Sequence, residues 1–261
     1  MQLLTILVPT KDYKIGLQRI IESIPEKHSK IKIIISDDSS TDVIKKYIYS
    51  INRKNITYIK NKKTLGLAKN WNQLLSNCES KYFMFLHNDD FINDKFFFDK
   101  FYKFLKEKDN PDIISCATRI VNYKIKLKKL HIKSPLRKFL YLISKKYILK
   151  RNYIGPVSSL IIKNNKIPKF DTEIKWLVDV DFYYRIFKNN KIFFTDQLEI
   201  ISEFNNKSSQ HFQNRKIISE LNKKEFYYLV KKYNLNSLKV SILQFFDPFF
   251  WLAIRATNLV I

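Results

Sequence analysis

The chain has 261 residues, 45% of them hydrophobic, and contains 3 Gly and 7 Pro. This composition permits a sizeable buried core and excludes fibrous and low-complexity proteins. The formal net charge of +24 predicts an anionic partner, such as nucleic acid, anionic lipid or a phosphate-bearing substrate, although an AT-rich genome would also enrich lysine. The opening residues are too short and too strand-like for a secretion signal, and we expect no membrane-spanning helix. Cys78 and Cys116 lack metal-ligand spacing and are expected to be buried thiols in a reducing compartment.

The first third of the chain alternates short apolar runs with helical periodicity. Strands are expected at residues 2–8, 31–36, 56–60 and 82–86, and helices at 42–51 and 67–75. Such alternation with short connections predicts an α/β fold, in which a mostly parallel sheet is covered by helices. Ligands of these sheets bind beyond the carboxyl ends of the strands, and acidic pairs follow two of the expected strands.

The second half of the chain is strongly basic, since residues 113–170 contain no Asp or Glu but fifteen Lys and Arg. Within it, apolar residues between Leu136 and Ile148 recur at helical spacing, and Arg137, Lys138, Lys145 and Lys146 take other positions. This pattern predicts a basic amphipathic helix at a membrane surface. The remaining elements are expected to be a helix at 94–107, a strand at 158–163, a helix at 179–188, strands at 192–195 and 198–204, and a helix at 215–233.

The adjacent carboxylates of Asp89 and Asp90 follow the fourth expected strand. Such a pair is electrostatically unfavourable unless a cation binds, and hard oxygen ligands suit Mg²⁺ or Mn²⁺. An ordinary helix N-cap is the alternative interpretation. Asp37 and Asp38 begin a run of capping residues before the helix at 42–51, so capping is the favoured interpretation there.

Two further candidates come later in the chain. Asp179 lies at the expected start of a helix, where the dipole stabilises an anion that could act as a general base. A cap with an ordinary ion pair between Asp181 and Arg185 is the alternative. His211 lies in a polar loop and could complete a metal site, although a lone histidine is more often structural.

Five segments in this order resemble glycosyltransferase family 2, which has the GT-A fold. They are the strand ending in VPT, IIISDDSSTD, NKKTLGLAKNWNQLL, FLHNDDF and WLVDVDFYYRI. The resemblance covers about residues 1–205 and departs from the family pattern at three positions, one of which, Ser39 in place of a glycine, is a common variation. His87 stands where the family often has the first Asp of its D-x-D motif, and Val178 stands where a Glu commonly precedes the base.

The resemblance implies a role for each matched residue. Pro9, Thr10 and Asp38, together with Asp37, would hold the nucleobase and ribose of a nucleotide-sugar. Asp89 and Asp90 would hold the ribose and a divalent metal, Mg²⁺ or Mn²⁺, and Asp179 would be the catalytic base. A single displacement at the anomeric carbon would invert its configuration, with UDP as the expected leaving group.

The chain is therefore expected to be an inverting, metal-dependent glycosyltransferase of the GT-A fold, a Rossmann-like mostly parallel sheet with flanking helices. Residues 1–235 would form the catalytic domain, with a nucleotide-sugar half at 1–110 and an acceptor half at 111–235. Residues 236–261 would form a membrane-associating helical tail, interfacial rather than spanning.

The expected acceptor is a glycan or lipid-linked oligosaccharide of surface polysaccharide synthesis, such as lipopolysaccharide or capsule. The enzyme would lie in the cytoplasm, peripherally on the inner face of the cell membrane and in contact with anionic lipid. A non-catalytic basic protein that binds membrane or nucleic acid is the alternative. Nucleic acid is disfavoured because the aromatic residues of the basic segment share an apolar face with aliphatic ones. A nucleotidyltransferase would need a glycine- and arginine-rich phosphate loop early in the chain, and residues 8–20 contain none.

Overall fold

A computed structural model describes residues 2–26, 29–123, 126–143, 145–203 and 215–235. Its first half contains four parallel strands in the order β3-β2-β1-β4. They are β1 (Leu4–Thr10), β2 (Ile31–Asp37), β3 (Ile56–Lys60) and β4 (Tyr82–Phe85). These segments are rich in Ile, Leu and aromatic residues, which suit strands buried on both faces. The sequence-predicted strands are therefore confirmed.

Alternate residues of the strands face two separate cores. Ile6 and Val8 of β1 pack in one core with the helices α1 (Lys14–Ser23), α2 (Val43–Ile51) and α4 (Phe97–Glu107). Leu7 faces the other core with the helices α3 (Leu67–Ser76) and α6 (Val178–Ile186). Helices thus cover both faces of the sheet, and the predicted α/β architecture is confirmed.

The sheet continues beyond β4 in the order β8-β6-β9-β5, with β7 paired to β6. These strands are β5 (Asp90–Phe91), β6 (Ile113–Asn122), β7 (Leu127–Leu130), β8 (Leu160–Lys163) and β9 (Ile192–Glu203). Strand β8 runs antiparallel to both β4 and β6, whereas β6 and β9 are parallel. The last helices are α5 (Ser134–Ile143) and α7 (Arg215–Lys232), and short 3₁₀ turns occupy Lys145–Leu149 and Val157–Ser159.

The two strands expected at 192–195 and 198–204 form one strand, β9. Its pairing with β6 shifts register between Ser115 and Ala117. An irregularity of the β-bulge type accommodates the extra residues of β9 there, so that β9 continues as one strand where the sequence predicts two.

The predicted amphipathic helix at 136–148 differs from the structure in two respects. It ends at Ile143, and Tyr147 and Ile148 lie buried in the core. Arg137, predicted on the basic face, is only 1% exposed. Its guanidinium donates to Ser115 Oγ, the Cys116 carbonyl and Asp196 Oδ1. These acceptors at the irregular part of β6 and β9 make the burial of this cation possible.

Cys78 and Cys116 are free buried thiols, as the sequence predicts. Within the described ranges, no helix combines the length and apolarity needed to cross a bilayer. The predicted tail at 236–261 and His211 both lie outside the described residues.

Candidate functional site

A short loop after β4 brings together His87, Asp89 and Asp90. One potential ligand atom from each of the three lies within 4.8 Å of the others. The loop turns tightly, since the Asp90 amide donates to the His87 carbonyl at 2.8 Å. Strand β9 fixes it from the other side, because the Glu203 amide donates to the Asp89 carbonyl at 2.7 Å. The N-cap interpretation of this pair is wrong, since Asp90 enters strand β5 and α4 begins only at Phe97.

The loop brings the ionisable side chains of His87, Asp89 and Asp90 together where water has little access to them. Burial and the neighbouring charge of Asp90 raise the pKa of Asp89 to about 6. Burial by itself lowers the pKa of His87, but the hydrogen bond and charge of Asp90, with Asp89 and Asp179, outweigh it and raise the pKa. His87 Nδ1 lies 3.4 Å from Asp90 Oδ2. Two carboxylates thus share a site in which their negative charge is only partly compensated.

Several buried polar atoms of this loop have no partner among the described residues. They are His87 Nε2, Asn88 Oδ1 and Asp90 Oδ1. Unsatisfied buried acceptors are rare in proteins and indicate a missing ligand or ion. A set of imidazole nitrogen and carboxylate oxygens within a few ångströms fits a divalent cation such as Mn²⁺ or Mg²⁺. The residues present therefore fit the metal that the sequence predicts.

Asp179 lies in the first turn of α6, as expected. Its Oδ2 accepts from Asn152 Nδ2 at 2.8 Å, and its Oδ1 accepts from the Val180 amide at 2.8 Å. Burial raises the pKa of Asp179 to about 6, against the lowering effect of these hydrogen bonds and of His87. The ion pair between Asp181 and Arg185 that belongs to the alternative interpretation is also present, and it leaves the Asp179 carboxylate to Asn152 and the Val180 amide.

The segment 152–158 connects Asp179 to the acidic loop. Asn152 binds Asp179 and also donates to the Gly155 carbonyl at 2.9 Å. Ser158 Oγ, at the far end of the segment, donates to Asp90 Oδ2. The hydroxyl of Tyr183 donates to the Gly155 carbonyl at 3.0 Å, and burial, Asp179 and Asp90 raise its pKa. These contacts place Asp179 and Asp90 on the two sides of one short segment.

Asp37 and Asp38 do not cap α2, so the favoured capping interpretation is wrong. Helix α2 has Asp42 at its N-cap, without a side-chain hydrogen bond. The Asp37 carboxylate accepts from the Ser39 amide, the Tyr58 hydroxyl and Lys60 Nζ. The buried Asp38 carboxylate accepts instead from Asn61 Nδ2 and from the amides of residues 65 and 66, at 2.7–3.0 Å. Hydrogen-bond donors that lie 20 or more residues later in the chain bind these two carboxylates, which therefore do not cap α2.

Pro9 and Thr10 end β1 next to this loop. The Thr10 carbonyl accepts from the Asp38 amide at 2.8 Å. Thr10 Oγ1 is buried and has no partner among the described residues. Pro9 pairs in register with Ser36 of β2. Thr10 therefore adjoins Asp38 and offers an unused hydroxyl, whereas Pro9 lies one residue earlier on β1, beside Ser36.

Helix α3 joins the Asp38 loop to the acidic loop. Its N-cap, Gly66, is held by Asp38, and one turn later the Trp71 indole stacks on the His87 imidazole with ring centroids 4.8 Å apart. The strand-end loops after β1, β2 and β4 and the start of α6 thus meet at one edge of the sheet. Sequence reasoning missed Trp71, Asn152 and Ser158 as members of this site. The helical spacing of Trp71 indicates only a core position.

The family model described as glycosyl transferase family 2 matches residues 5–165. The chain belongs to glycosyltransferase family 2. The matched segment contains the Asp38 and Asp89–Asp90 loops and ends before α6. No curated protein sequence matches the chain significantly.

Solved glycosyltransferase structures share the fold. S. aureus TarS 1–349 superposes with a TM-score of 0.60 at 17% identity, over 78% of this chain and 60% of that one. The same protein in complex with UDP-GlcNAc gives 0.63 at 16% identity, over 85% and 64%. Mannosyltransferase PcManGT from Pyrobaculum calidifontis, in complex with GDP-Man and Mn²⁺, gives 0.56 at 13% identity, over 78% and 58%. The predicted GT-A fold is confirmed, and the chain spans about three fifths of the length of these proteins.

Proposed function

We propose that this family 2 member is an inverting, metal-dependent glycosyltransferase that takes its sugar from a nucleotide-sugar donor, with a UDP-sugar as the expected donor. One observation carries the proposal: the acidic loop at His87–Asp90 and the buried carboxylate of Asp179 lie on the two sides of the segment 152–158. Metal ligands and a potential base are the two groups that this reaction requires. Similarity to TarS with UDP-GlcNAc and PcManGT with GDP-Man and Mn²⁺ supports a nucleotide-sugar donor.

His87, Asp89 and Asp90 would hold Mg²⁺ or Mn²⁺. His211, which lies outside the described residues, is a further proposed ligand. When bound, such a cation neutralises the negative charge of a diphosphate leaving group. Asp90 is itself oriented by Ser158, and His87 by Trp71. Metal-binding side chains that are already held in one orientation lose little conformational entropy when the cation binds.

Asp179 is the proposed general base. A carboxylate with a pKa of about 6 is ionised near neutral pH, yet remains a better proton acceptor than an ordinary aspartate. Asn152 holds one oxygen of its side chain in place. Removal of the proton from an acceptor hydroxyl by Asp179 would prepare that oxygen for attack on the anomeric carbon from the face opposite the nucleotide. A single displacement of this kind inverts the anomeric configuration.

Pro9, Thr10, Asp37 and Asp38 are the proposed nucleotide-binding residues. Thr10 Oγ1 is a free hydroxyl among the described residues. Asp38 Oδ2 accepts one hydrogen bond, from the Gly66 amide, and a carboxylate oxygen has room for a second donor such as a ribose hydroxyl. Asp37 already receives three donors, so its proposed contribution is to shape the loop around Asp38.

A donor screen tests this function. Wild-type protein is mixed with UDP-, GDP- and other nucleotide-sugars, each with and without Mn²⁺, and both the melting temperature and donor hydrolysis are measured. A ligand that binds the folded state raises its melting temperature. We expect a metal-dependent rise with one donor class, and loss of that rise in Asp90→Asn. No shift with any donor would favour the alternative, a non-catalytic basic protein that binds membrane or nucleic acid.

We further propose that the protein works peripherally on the cytoplasmic face of an anionic membrane, on a lipid-linked or glycan acceptor of surface polysaccharide synthesis. The outer face of α5 supports this. Phe139, Leu142 and Ile143 are 57%, 69% and 51% exposed, and Lys138 is exposed beside them. Apolar side chains flanked by lysines suit an interface with anionic lipid, where each cation contributes about 1 kcal/mol.

The domain division follows from the same proposal. Residues 1–110 contribute the proposed nucleotide and metal ligands, and residues 111–235 contribute the proposed base and the exposed face of α5. Residues 236–261 remain the proposed membrane-associating tail.

A further inference from the structure

Helix α7 lies beyond the residues matched by the family model, yet it contacts the segment that leads into Asp179. Glu225 of this helix is 5% exposed. Its Oε1 accepts from the backbone amides of Lys175 and Trp176 at 2.8 and 3.2 Å. Its Oε2 accepts from the amides of Trp176 and Leu177 at 2.9 and 2.8 Å. One buried carboxylate thus receives four hydrogen bonds from three consecutive residues.

These three residues end where α6 begins. Leu177 is the N-cap of α6, and none of its own side-chain atoms caps the helix. Glu225 provides a carboxylate at the positive end of the helix dipole, where an anion is stabilised. The Leu177 carbonyl accepts from the Asp181 amide at 3.0 Å, so the residue is held on both sides. Asp179 follows it by two positions, so a displacement of residues 175–177 would displace the first turn of α6 and Asp179 with it.

A second group of contacts joins the C-terminal end of α7 to the first turn of α6. Lys232 Nζ lies 2.7 Å from the fully buried Asp181 and 2.6 Å from Asp171. The Tyr233 hydroxyl donates to the same Asp181 carboxylate. Between the two groups, Leu229 is completely buried in the core. Helix α7 is therefore attached to the start of α6 by two groups of contacts, and Glu225 is the attachment that holds the backbone immediately before the proposed base.

We propose that Glu225 is a positioning residue for the transfer reaction, which it serves by holding residues 175–177 and thereby the side chain of Asp179. This inference rests on the proposed function of Asp179. Both carboxylate oxygens of Glu225 accept from backbone amides of residues 175–177, so the proposed effect passes through Asp179. A displacement of about 1 Å at a catalytic group lowers turnover by up to about 100-fold.

The test compares Glu225→Gln with Glu220→Gln, which removes the charge of an exposed residue on the same helix. A glutamine keeps the size of the side chain but directs an amide group at backbone donors. We expect kcat to fall about 10- to 100-fold in Glu225→Gln, with the KM for the donor within about twofold of wild type. Hydrogen exchange at the amides of residues 175–180 should increase. Glu220→Gln should match wild type in all three measurements.

A double mutant distinguishes positioning from general destabilisation. If Glu225 acts through Asp179, Glu225→Gln adds no further loss of kcat to Asp179→Asn. Additive losses, or unchanged hydrogen exchange in Glu225→Gln, would overturn the proposal and leave the proposed function standing. A wild-type protein that transfers no sugar from any donor would overturn the proposed function itself, and this proposal with it, before any variant is compared.

Discussion

The indole of Trp71 lies parallel to the imidazole of His87, with 4.8 Å between ring centroids and 16° between ring planes. Trp71 is in turn fixed by Phe170, which meets it edge-on at 4.8 Å. His87 Nδ1 faces Asp90 at 3.4 Å. The imidazole thus has one fixed orientation, in a position where an aspartate is common in the family. This difference predicts an unusual metal preference.

Replacement of His87 by aspartate should change which cation supports activity. Mg²⁺ prefers carboxylate oxygen, whereas imidazole is better tolerated by Mn²⁺ than by Mg²⁺. We expect the ratio of Mg²⁺- to Mn²⁺-supported turnover to rise about tenfold in His87→Asp. Asp99→Asn, which changes an exposed carboxylate on α4 outside the proposed site, serves as the control, with an unchanged ratio. An equal ratio in His87→Asp and wild type would show that His87 is not a ligand.

The proposed base is tested by Asp179→Asn. An asparagine accepts no proton, so turnover should fall by about 100- to 10,000-fold, as for loss of other general bases. The variant should still fold, because burial makes the ionised carboxylate of Asp179 unfavourable in the folded protein. Asp99→Asn, an exposed carboxylate on α4, is the matched control. Turnover of Asp179→Asn at the wild-type rate would assign the base to another residue.

Metal binding should depend on pH through Asp89, whose pKa is raised to about 6. Because this pKa lies above that of an unfolded aspartate, the folded protein binds the extra proton, and the stability of the metal-free protein rises as pH falls through 6. A cation must displace that proton at lower pH. The melting-temperature increase given by Mn²⁺ with UDP should therefore be large near pH 7.5 and small near pH 5. Asp89→Asn should give a small increase at both, and a pH-independent increase in wild type would contradict this role.

The parallel half of the sheet was predictable from sequence because its strands are defined by local composition. Runs such as residues 31–37 are so rich in isoleucine that they fit only a buried strand. The start of α6 at Val178 was predictable within one residue for a similar reason, since its apolar side chains recur with helical spacing. Parallel strands then bring their carboxyl ends to one edge, which is why the acidic loop could be placed without coordinates.

The misassigned residues are those whose partners are distant in sequence. The run at 37–42 has the composition of a helix cap, but Tyr58, Lys60 and Asn61 supply better donors to its two aspartates. Arg137 has the spacing of an exposed cation and is buried only because a bulge in β6 and β9 exposes acceptors. Neither the distant donors nor the bulge can be recognised from the neighbouring sequence. Capping rules therefore assign the two aspartates to a helix cap, and helical periodicity assigns Arg137 to the surface.

Gly16 of α1 should be essential for the shape of the acidic loop. A Cβ atom at this position would lie 2.1 Å from the Asn88 carbonyl oxygen and 2.6 Å from the Tyr13 ring. A backbone carbonyl cannot yield unless the loop between His87 and Asp90 moves. We expect Gly16→Ala to destabilise the fold by about 1–3 kcal/mol and to abolish the melting-temperature increase given by Mn²⁺ with UDP.

The control for this substitution is Ile15→Ala, at a 64% exposed position on the same helix. It should leave both the unfolding free energy and the effect of Mn²⁺ with UDP close to wild type. A Gly16→Ala protein that binds Mn²⁺ and UDP normally would show that the loop tolerates displacement.

Peripheral membrane contact through α5 is tested with Leu142→Glu, measured by sedimentation with vesicles of phosphatidylglycerol and phosphatidylcholine. The substitution places a charge on the exposed apolar face formed by Phe139, Leu142 and Ile143. We expect bound protein to fall at least about tenfold, because the apolar contact is lost and the added anion is repelled by the lipid. Turnover on a water-soluble acceptor should not change, since Leu142 is 69% exposed and outside the proposed site.

The matched control is Val43→Glu, which adds the same charge at a 53% exposed position of α2. If α5 is the contact, this variant lowers vesicle binding only slightly, by the effect of one charge on a chain with a net charge of +24. Equal losses in both variants would mean that net charge alone brings the protein to the membrane. Unchanged binding in Leu142→Glu would remove α5 from the contact and leave residues 236–261 as the segment to test next. The two variants thus separate an apolar docking face from a diffuse attraction, because they differ in position and not in charge.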